Sequence, residues 1–250
     1  KTEMKYNSAT FRCYGSLNDF LPPEKQQKSF TVSFKGHPAV KDTLEAEGLV
    51  HPEIALIIVN SRSVTFRYRL RNSDRVAVYP APAHLETTGL HDLGYEMPEQ
   101  YGFLCDEQLG RCARLLRMYG FDTRFCSSCP PDEIIGLLKD ENRILLTRNK
   151  RLLRYNAVCR GYWVRSENPE QQLQEIISRF CLSGSMRPLT RCLECNAVIE
   201  PVEKEKILHR LREKTITYID SFFQCPGCGR IYWEGSHVKN MKKRYHLDSR

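Results

Sequence analysis

The sequence has no long apolar run. Its most apolar stretch, Ile54–Val59, is the size of a strand and falls far short of the ~20 residues that a membrane-spanning helix needs. A basic-then-apolar signal peptide, internal repeats and low-complexity segments are also missing. With 41% hydrophobic and 27% charged residues among 250, the composition excludes collagen-like, coiled-coil and largely disordered proteins. We therefore expect a cytoplasmic globular protein with no membrane partner.

Cysteine and positive charge are the two features in excess. The 11 cysteines are an odd number spread over the whole chain, which argues against a disulfide framework and for an intracellular protein with reduced thiols. Lysine and arginine number 38 against 30 acidic residues, so the formal net charge is +8. This balance is consistent with an anionic partner, of which nucleic acid is the commonest, although the total charge alone does not decide.

The first block of the chain, residues 1–82, has the pattern of a small α/β domain. Period-two alternation and apolar runs predict four strands, over residues 10–14, 30–34, 54–59 and 75–79. A helix with Pro38 in its first turn and Gly48 at its end is predicted between the second and third strands. The order strand, strand, helix, strand, strand predicts a β-grasp fold. Residues 83–100 then have the composition of a linker.

The second block, residues 101–186, alternates strands with helices. Strands are predicted over residues 103–105, 122–125, 143–147 and 161–164, and helices over residues 107–119, from Asp132, over 149–155 and from Asn168-Pro169. This alternation indicates a parallel sheet with helices on both faces. In such sheets the functional crevice lies beyond the carboxyl ends of the strands.

The third block, residues 187–250, carries two Cys-x-x-Cys motifs and a basic tail. Zinc prefers a tetrahedron of soft ligands, and the motifs Cys192-Leu-Glu-Cys195 and Cys225-Pro-Gly-Cys228 supply four thiolates. The 29 residues between the motifs fit a zinc ribbon with a hairpin or helix inserted between its knuckles. We predict a structural Zn²⁺ here, because four thiolates leave no open position for catalysis. Chance pairing or disulfides are the alternative.

A third pair, Cys126-Ser-Ser-Cys129, has no partner pair. A redox motif and a second metal site are both conceivable, but two ordinary thiols in a loop are the favoured interpretation. His237, close behind the second knuckle, would be redundant as a ligand, so we expect it to be structural or to face RNA.

Polar residues at the strand ends of the second block form a further signal. Asp106 directly follows the first strand, Asp132 starts the helix after the next strand, and Asn149 lies just beyond the third. Because neighbouring parallel strands end at one edge, these side chains could share a crevice that holds Mg²⁺ or Mn²⁺, which organises water for attack on a phosphodiester. The alternative is that Asp132 is only a helix cap and Asp106 only a turn residue.

Basic residues accompany the same predicted edge. Arginines recur at every third position of the first helix, and further basic residues follow Thr147. Because arginine and lysine supply most of the sequence-independent affinity for nucleic acid, we predict a phosphate-binding rim, the alternative being a solvated face. The predicted RNA-binding residues are Arg111, Arg114, Arg148, Lys150 and Arg151.

Residues 103–122, 143–152 and 162–166, with the ribbon segments 191–196 and 225–237, together resemble the Mut-seven C-terminal ribonuclease family, a branch of the PIN-like nucleases. The segments 58–64 and 74–80 are similar to the ubiquitin-like domain that often precedes this nuclease in bacteria. The resemblance covers nearly the whole chain. It implies a ubiquitin-like β-grasp domain, a PIN-like parallel α/β sandwich and a C-terminal zinc ribbon.

The resemblance also implies roles for individual residues. Asp106 would be the lead metal-binding aspartate, Asp132 the second acidic position and Glu133 a nearby reserve. The family usually reads Leu-Thr-Arg-Asp, whereas this sequence has Asn149 in place of that aspartate. An amide oxygen can still ligate a hard cation but supplies no charge, so we expect weaker metal binding and weakened catalysis.

Two hypotheses follow for the function. The first is a divalent-metal-dependent endoribonuclease in which Asp106 and Asp132 hold the ion, Asn149 orients it or its water, and Thr147 adds a hydroxyl. The second is a catalytically degenerate fold retained as an RNA- or ribosome-binding adaptor. The expected partner is RNA, with tRNA and ribosome-associated RNA as candidates, and the ubiquitin-like domain offers a docking surface for a protein. No Gly-Gly follows Tyr79, which argues against a sulfur-carrier role.

Overall fold

The computed structural model describes residues 6–80, 101–236 and 238–240. They fall into two compact units, one made of residues 6–80 with 149–163, the other of residues 101–148 with the described residues from 164 onward. The predicted linker, His237 and the last ten residues of the basic tail lie outside the described residues. No helix in the described part combines the length and apolarity that crossing a bilayer requires.

The first unit contains a five-stranded mixed sheet and one α-helix. In chain order its elements are β1 (Tyr6–Cys13), β2 (Phe30–Lys35), α1 (Val40–Ala46), β3 (Ile54–Val59), β4 (Arg62–Val64) and β5 (Arg75–Pro80). The strand order is β2-β1-β5-β3-β4, with β1 and β5 parallel and the other pairs antiparallel. This arrangement of strands around one helix confirms the predicted β-grasp architecture.

Two local features of this unit differ from the sequence prediction. Strand β4 was not predicted; it forms because Asn60 and Ser61 both adopt positive φ, which closes a tight hairpin with β3. Helix α1 begins at Val40 with Ala39 as its N-cap, so Pro38 lies before the helix and not in its first turn. The core beneath the sheet is built from fully buried apolar side chains, including Phe11, Leu44 and Ile57.

The second unit begins with a parallel sheet flanked by helices. Its elements are β6 (Gly102–Cys105), α2 (Gly110–Met118), β7 (Thr123–Phe125), α3 (Pro131–Glu141) and β8 (Arg143–Thr147). Residues 149–163 belong to the first unit and hold β9 (Gly161–Trp163), after which α4 (Pro169–Arg179) resumes the second. The second unit's three strands pair in parallel in the order β7-β6-β8, which confirms the predicted parallel sheet.

The predicted helices of this region differ from the observed ones at their ends. Asp132 is not an N-cap: Pro130 holds that position without a side-chain cap bond, and Asp132 lies in the first turn of α3. A proline fixes φ at a helical value and needs no N–H in a first turn, so Pro131 determines where α3 begins. The helix predicted over residues 149–155 is a single 3₁₀ turn, Leu152–Arg154. Asn168 caps α4 as predicted, accepting hydrogen bonds from the Glu170 and Gln171 amides.

The chain ends in a small antiparallel ribbon. It comprises β10 (Glu200–Val202), α5 (Lys204–Ile207), α6 (Glu213–Tyr218), β11 (Phe222–Gln224) and β12 (Ile231–Trp233), with strand order β10-β11-β12. The two short helices occupy the insertion between the cysteine motifs, as predicted. Cys192, Ile199 and Cys225 form its small buried cluster.

Candidate functional site

Asp106 stands at the carboxyl end of the central strand of the parallel sheet. It follows β6 directly and is only 4% exposed. Its Oδ1 accepts the Gln108 amide at 3.2 Å, and its Oδ2 accepts the Thr147 hydroxyl at the end of β8. The prediction that Asp106 and Thr147 lie together at this edge agrees with the geometry, because β6 and β8 end side by side.

Burial controls the electrostatics of this carboxyl group. It raises the pKa of Asp106 above its ordinary value, and the hydrogen bonds from Thr147 and from the Gln108 and Arg148 amides only partly offset the shift. A desolvated carboxylate fixed by such bonds is held in one orientation. A cation next to this carboxylate would be attracted more strongly than by an exposed aspartate, because the low-dielectric surroundings screen the attraction less.

The other predicted polar ligands differ from Asp106 in their surroundings. Asp132 is exposed in the first turn of α3. Asn149 belongs to the first unit, where its amide oxygen accepts the Arg151 amide at 3.0 Å. Within the described residues, the clusters of three or more closely spaced metal-ligand side chains are the tetrad Cys192, Cys195, Cys225 and Cys228 and the group Cys126, Cys129 and Glu133. Asp106 belongs to neither.

The four predicted ribbon cysteines do converge. Their sulfur atoms all lie within 4.8 Å of one another, with 3.5 Å between the sulfurs of Cys192 and Cys228 and 3.3 Å between those of Cys195 and Cys225. A tetrahedral Zn²⁺ with Zn–S bonds of about 2.3 Å needs sulfurs about 3.8 Å apart, so the tetrad fits this ion. Two of the thiols are buried and two are exposed.

The surroundings of Cys192 favour its thiolate form. Burial acts to raise the pKa of this thiol, but the amides of Glu194 and Cys195 and the Tyr232 hydroxyl, 3.1 Å from the sulfur, lower it to about 6. The Cys228 amide points at the Cys225 sulfur in the same way, at 3.4 Å. Such amide contacts stabilise the negative charge that a metal-binding thiolate carries.

Residues 101–245 match the family model described as the Mut7-C RNAse domain, and residues 6–86 match that described as Mut7-C ubiquitin. The chain belongs to the Mut7-C ribonuclease family. The first match spans the parallel sheet and the ribbon, and the second spans the β-grasp unit. Comparison with curated proteins and with solved structures gave no match.

In this Mut7-C chain, Arg117 joins the ribbon to the nuclease sheet. Its spacing on α2 suggested a surface residue, but its side chain is buried at 7% exposure. The guanidinium donates to the carbonyls of Thr123, Leu193 and Glu194 at 2.7–3.0 Å. Arg117 is therefore a structural residue of the Mut7-C domain and does not belong to a phosphate-binding rim.

A second junction between ribbon and sheet is centred on Asp122, which the sequence gave no reason to single out. Its carboxylate accepts bonds from Arg143 at 2.7 Å and Asn196 at 2.8 Å and pairs with Arg191 at 3.2 Å. Burial acts to raise the pKa of Asp122, but these partners bring it below its ordinary value. The sequence could not predict this junction, because Asn196 is 74 residues away from Asp122.

Asp122→Asn is expected to lower the free energy of unfolding at neutral pH by about 1–3 kcal/mol, since it removes a charge-assisted pair with Arg143. A carboxyl group whose pKa is depressed by folding stabilises the fold above its unfolded pKa and loses that effect as the pH falls through its folded pKa. The difference between wild type and variant should thus persist down to about pH 5 and shrink below the ordinary value of 3.8, as urea titrations at each pH would measure.

Asp220→Asn is the matched control, because this carboxylate is 92% exposed and pairs with Lys204 at 3.1 Å on the surface. Its effect on unfolding should stay below about 1 kcal/mol. Equal effects of the two substitutions would show that the Asp122 network does not tie the ribbon to the sheet.

The predicted RNA-binding side chains differ in how far they already interact with other groups of the protein. Arg111 and Arg151 are exposed, whereas Arg114 pairs with Glu194 at 2.9 Å. Arg148 donates to backbone carbonyls of the segment that leads into α4 and pairs with Glu167 at 3.0 Å. Within the first unit, the Lys150 ammonium lies 3.7 Å from the centre of the Trp163 ring.

The Mut7-C ribbon also forms an arginine-lined cavity that sequence reasoning missed. Arg114, Arg210, Arg230, Tyr232 and Trp233 line its volume of about 290 Å³. Trp233 is 37% exposed, which leaves part of its ring open to solvent. Its lining residues come from separate segments of the sequence, so no local sequence pattern predicts the cavity.

Cys126 and Cys129 are joined as a disulfide in the loop between β7 and α3. This pairing differs from the favoured interpretation of two ordinary thiols, while the redox motif and the second metal site both stay predictions. The other cysteines of the described residues form no disulfide.

Proposed function

We propose that this protein is a divalent-metal-dependent endoribonuclease whose reaction takes place at the carboxyl edge of the parallel sheet. The observation that carries the proposal is the buried Asp106 carboxylate, held by Thr147 on the neighbouring strand in a chain of the Mut7-C ribonuclease family. Parallel α/β sheets place their reactive groups at this edge. The proposed setting is the cytoplasm.

The donor chemistry of this edge suits Mg²⁺ or Mn²⁺. Both are hard cations that take oxygen ligands, and Mg²⁺ commonly uses only one or two carboxylates, completing its shell with waters and substrate phosphate. Asp106 and Asp132 would provide those carboxylates, with Asn149 as a neutral third donor. When bound, such an ion polarises a phosphoryl oxygen and lowers the pKa of a bound water.

The protein's own groups would position the reactants. Thr147 and the Gln108 amide fix the orientation of the Asp106 carboxylate. Arg111 and Arg151 would bind the RNA backbone, with Lys150, Arg114 and Arg148 as further cationic side chains. The arginine-lined cavity with Trp233 would add contacts to a nucleotide, since bases stack on exposed aromatic rings.

A resident Zn²⁺ is proposed for the cysteine tetrad. Four thiolates select a soft or borderline ion, and the closed tetrahedron assigns this ion a structural role. The ubiquitin-like unit is proposed to bind a protein partner, in keeping with its family match.

The direct test is a cleavage assay with single-stranded and structured RNA. The purified protein should cut RNA when Mg²⁺ or Mn²⁺ is present and stop when these ions are left out of the buffer. Omission is preferable to a chelator, because a chelator would also remove the ion of the ribbon. Cleavage that continues at the same rate without Mg²⁺ and Mn²⁺ would contradict the proposal.

A degenerate RNA- or ribosome-binding adaptor is the second candidate, and Asn149 favours it. Where the family usually has a carboxylate, this chain has an amide whose oxygen already accepts the Arg151 amide. Such a protein would bind RNA in a salt-sensitive manner without cutting it.

Asn149→Asp separates the two candidates. Restoring the charge should increase the cleavage rate at limiting Mg²⁺ by about tenfold or more, because an additional carboxylate strengthens binding of a divalent ion. Asn156→Asp, which adds the same charge to another exposed position of this segment, should leave the rate unchanged. If neither wild type nor Asn149→Asp cleaves RNA although both bind it, the adaptor function is supported.

A further inference from the structure

The loop that holds Cys126 and Cys129 lies beside Asp106. Cys126 follows β7 and is buried, and its amide donates to the Cys105 carbonyl at 3.0 Å. Cys105 is the residue that precedes Asp106, so the cysteine pair occupies the same carboxyl edge of the sheet. The proposed ribonuclease reaction assigns no task to this pair.

A carboxylate completes the cluster. Glu133, in the first turn of α3, has an oxygen atom within 4.8 Å of both cysteine sulfurs. The Cys-x-x-Cys spacing equals that of the two ribbon knuckles, and the Cα atoms of Cys126 and Cys129 are 5.6 Å apart. Two thiolates and one carboxylate are ligands that Zn²⁺ accepts, at about 2.3 Å from sulfur and about 2.0–2.2 Å from oxygen.

We propose that Cys126, Cys129 and Glu133 form a second, redox-gated Zn²⁺ site, of which the disulfide is the oxidised, metal-free form. In the reduced form the two thiolates and the Glu133 carboxylate bind one ion and leave its fourth position to water. This open position distinguishes the site from the ribbon tetrad, whose four thiolates close the shell. The test of this site does not depend on the ribonuclease reaction, because it measures the metal content of the protein and not RNA cleavage.

The conversion between the two forms balances with hydrogen peroxide as the oxidant. Two thiolates, one peroxide molecule and two protons give one disulfide and two molecules of water. The sulfurs lose two electrons, the O–O bond breaks as its oxygens gain them, and the ion leaves because a disulfide is a poor ligand. A dithiol reductant returns the pair to two thiols by thiol–disulfide exchange.

Metal counting on the full chain tests the proposal. Protein reduced with a dithiol, supplied with Zn²⁺ without oxygen and freed of unbound metal should retain two equivalents, one in each site. The Cys126→Ser/Cys129→Ser variant should retain one, and the retained ribbon ion shows that its fold is intact. Cys159→Ser/Cys181→Ser, which removes two exposed thiols elsewhere, should still retain two.

Glu133→Gln provides a second measurement that leaves both cysteines in place. Competition with a coloured chelator should show about a tenfold or larger loss of affinity for the second equivalent only. The proposal would be overturned by one zinc equivalent in the reduced wild type or by two equivalents in Cys126→Ser/Cys129→Ser. An unchanged affinity for the second equivalent in Glu133→Gln would overturn it as well. Hydrogen peroxide should release the second equivalent from wild type, and its retention after the disulfide forms would also overturn it.

Discussion

Asp106→Asn is expected to reduce the proposed metal-dependent RNA cleavage at least about a hundredfold, because it removes a charge that would hold the divalent ion. The amide can keep a hydrogen bond to the Thr147 hydroxyl or to the Gln108 amide, so the fold remains. RNA binding through the arginines is expected to persist, since these side chains do not contact Asp106 in its described hydrogen bonds. Initial rates at saturating Mn²⁺, with binding measured separately, check both expectations.

Glu107→Gln is the matched control for this variant. It makes the same acid-to-amide change one residue later, at an exposed position, and should keep the wild-type rate within about twofold. Equal trace activity in wild type and Asp106→Asn would contradict the catalytic role of Asp106 and favour the adaptor function.

The pH dependence of cleavage also tests the proposed role of Asp106. Because burial raises the pKa of Asp106, this carboxyl group holds its proton to a higher pH than an ordinary aspartate does. The ion competes with that proton, so cleavage should fall as the pH decreases through the raised pKa. Higher Mn²⁺ concentration should shift the fall to lower pH.

Removal of the ribbon ion has the second large expected effect. Cys192→Ser should lower the hydrogen-exchange protection of amides in residues 191–233 at least about a hundredfold. The buried hydrophobic side chains described within this segment are Cys192, Ile199, Ile207, Phe222 and Cys225, too few to hold the fold without a metal. A structural zinc in such small modules contributes about 10–16 kcal/mol of apparent binding free energy.

Cys181→Ser, an exposed thiol after α4, is the control and should leave protection unchanged. The loss in Cys192→Ser should spread into α2, because Arg117 would lose the Leu193 and Glu194 carbonyls to which it donates. Full protection of the ribbon in a metal-free chain would show that the tetrad is not a structural metal site.

The sequence predicted those features that short-range patterns determine. Buried parallel strands appear as continuous apolar runs, which is why β6 and β8 were recognisable. Asn168 before Pro169 is a complete local signal for a helix start, and two Cys-x-x-Cys motifs are a complete signal for a ribbon. The position of Asp106 then follows from the end of its strand.

Features that depend on distant partners could not be predicted. Arg117 has the spacing of a solvated arginine, and only the carbonyls of Leu193 and Glu194, 76 and 77 residues away, make it a buried anchor. Asp132 was expected to cap α3, but the fixed φ of Pro131 sets the helix start. Metal binding at Asp106, its role in cleavage and the RNA contacts stay predictions for the experiments above.

The segment 149–163 has a consequence for how the chain is made. Within the first unit, the buried Glu53 accepts the Trp163 amide at 2.7 Å, a contact that spans 110 residues. A ribosome that has delivered only residues 1–100 has therefore released an incomplete β-grasp unit, in which Glu53 still lacks this partner. The first unit can be completed only after the strands of the nuclease sheet, which precede residues 149–163 in the chain, have also left the ribosome.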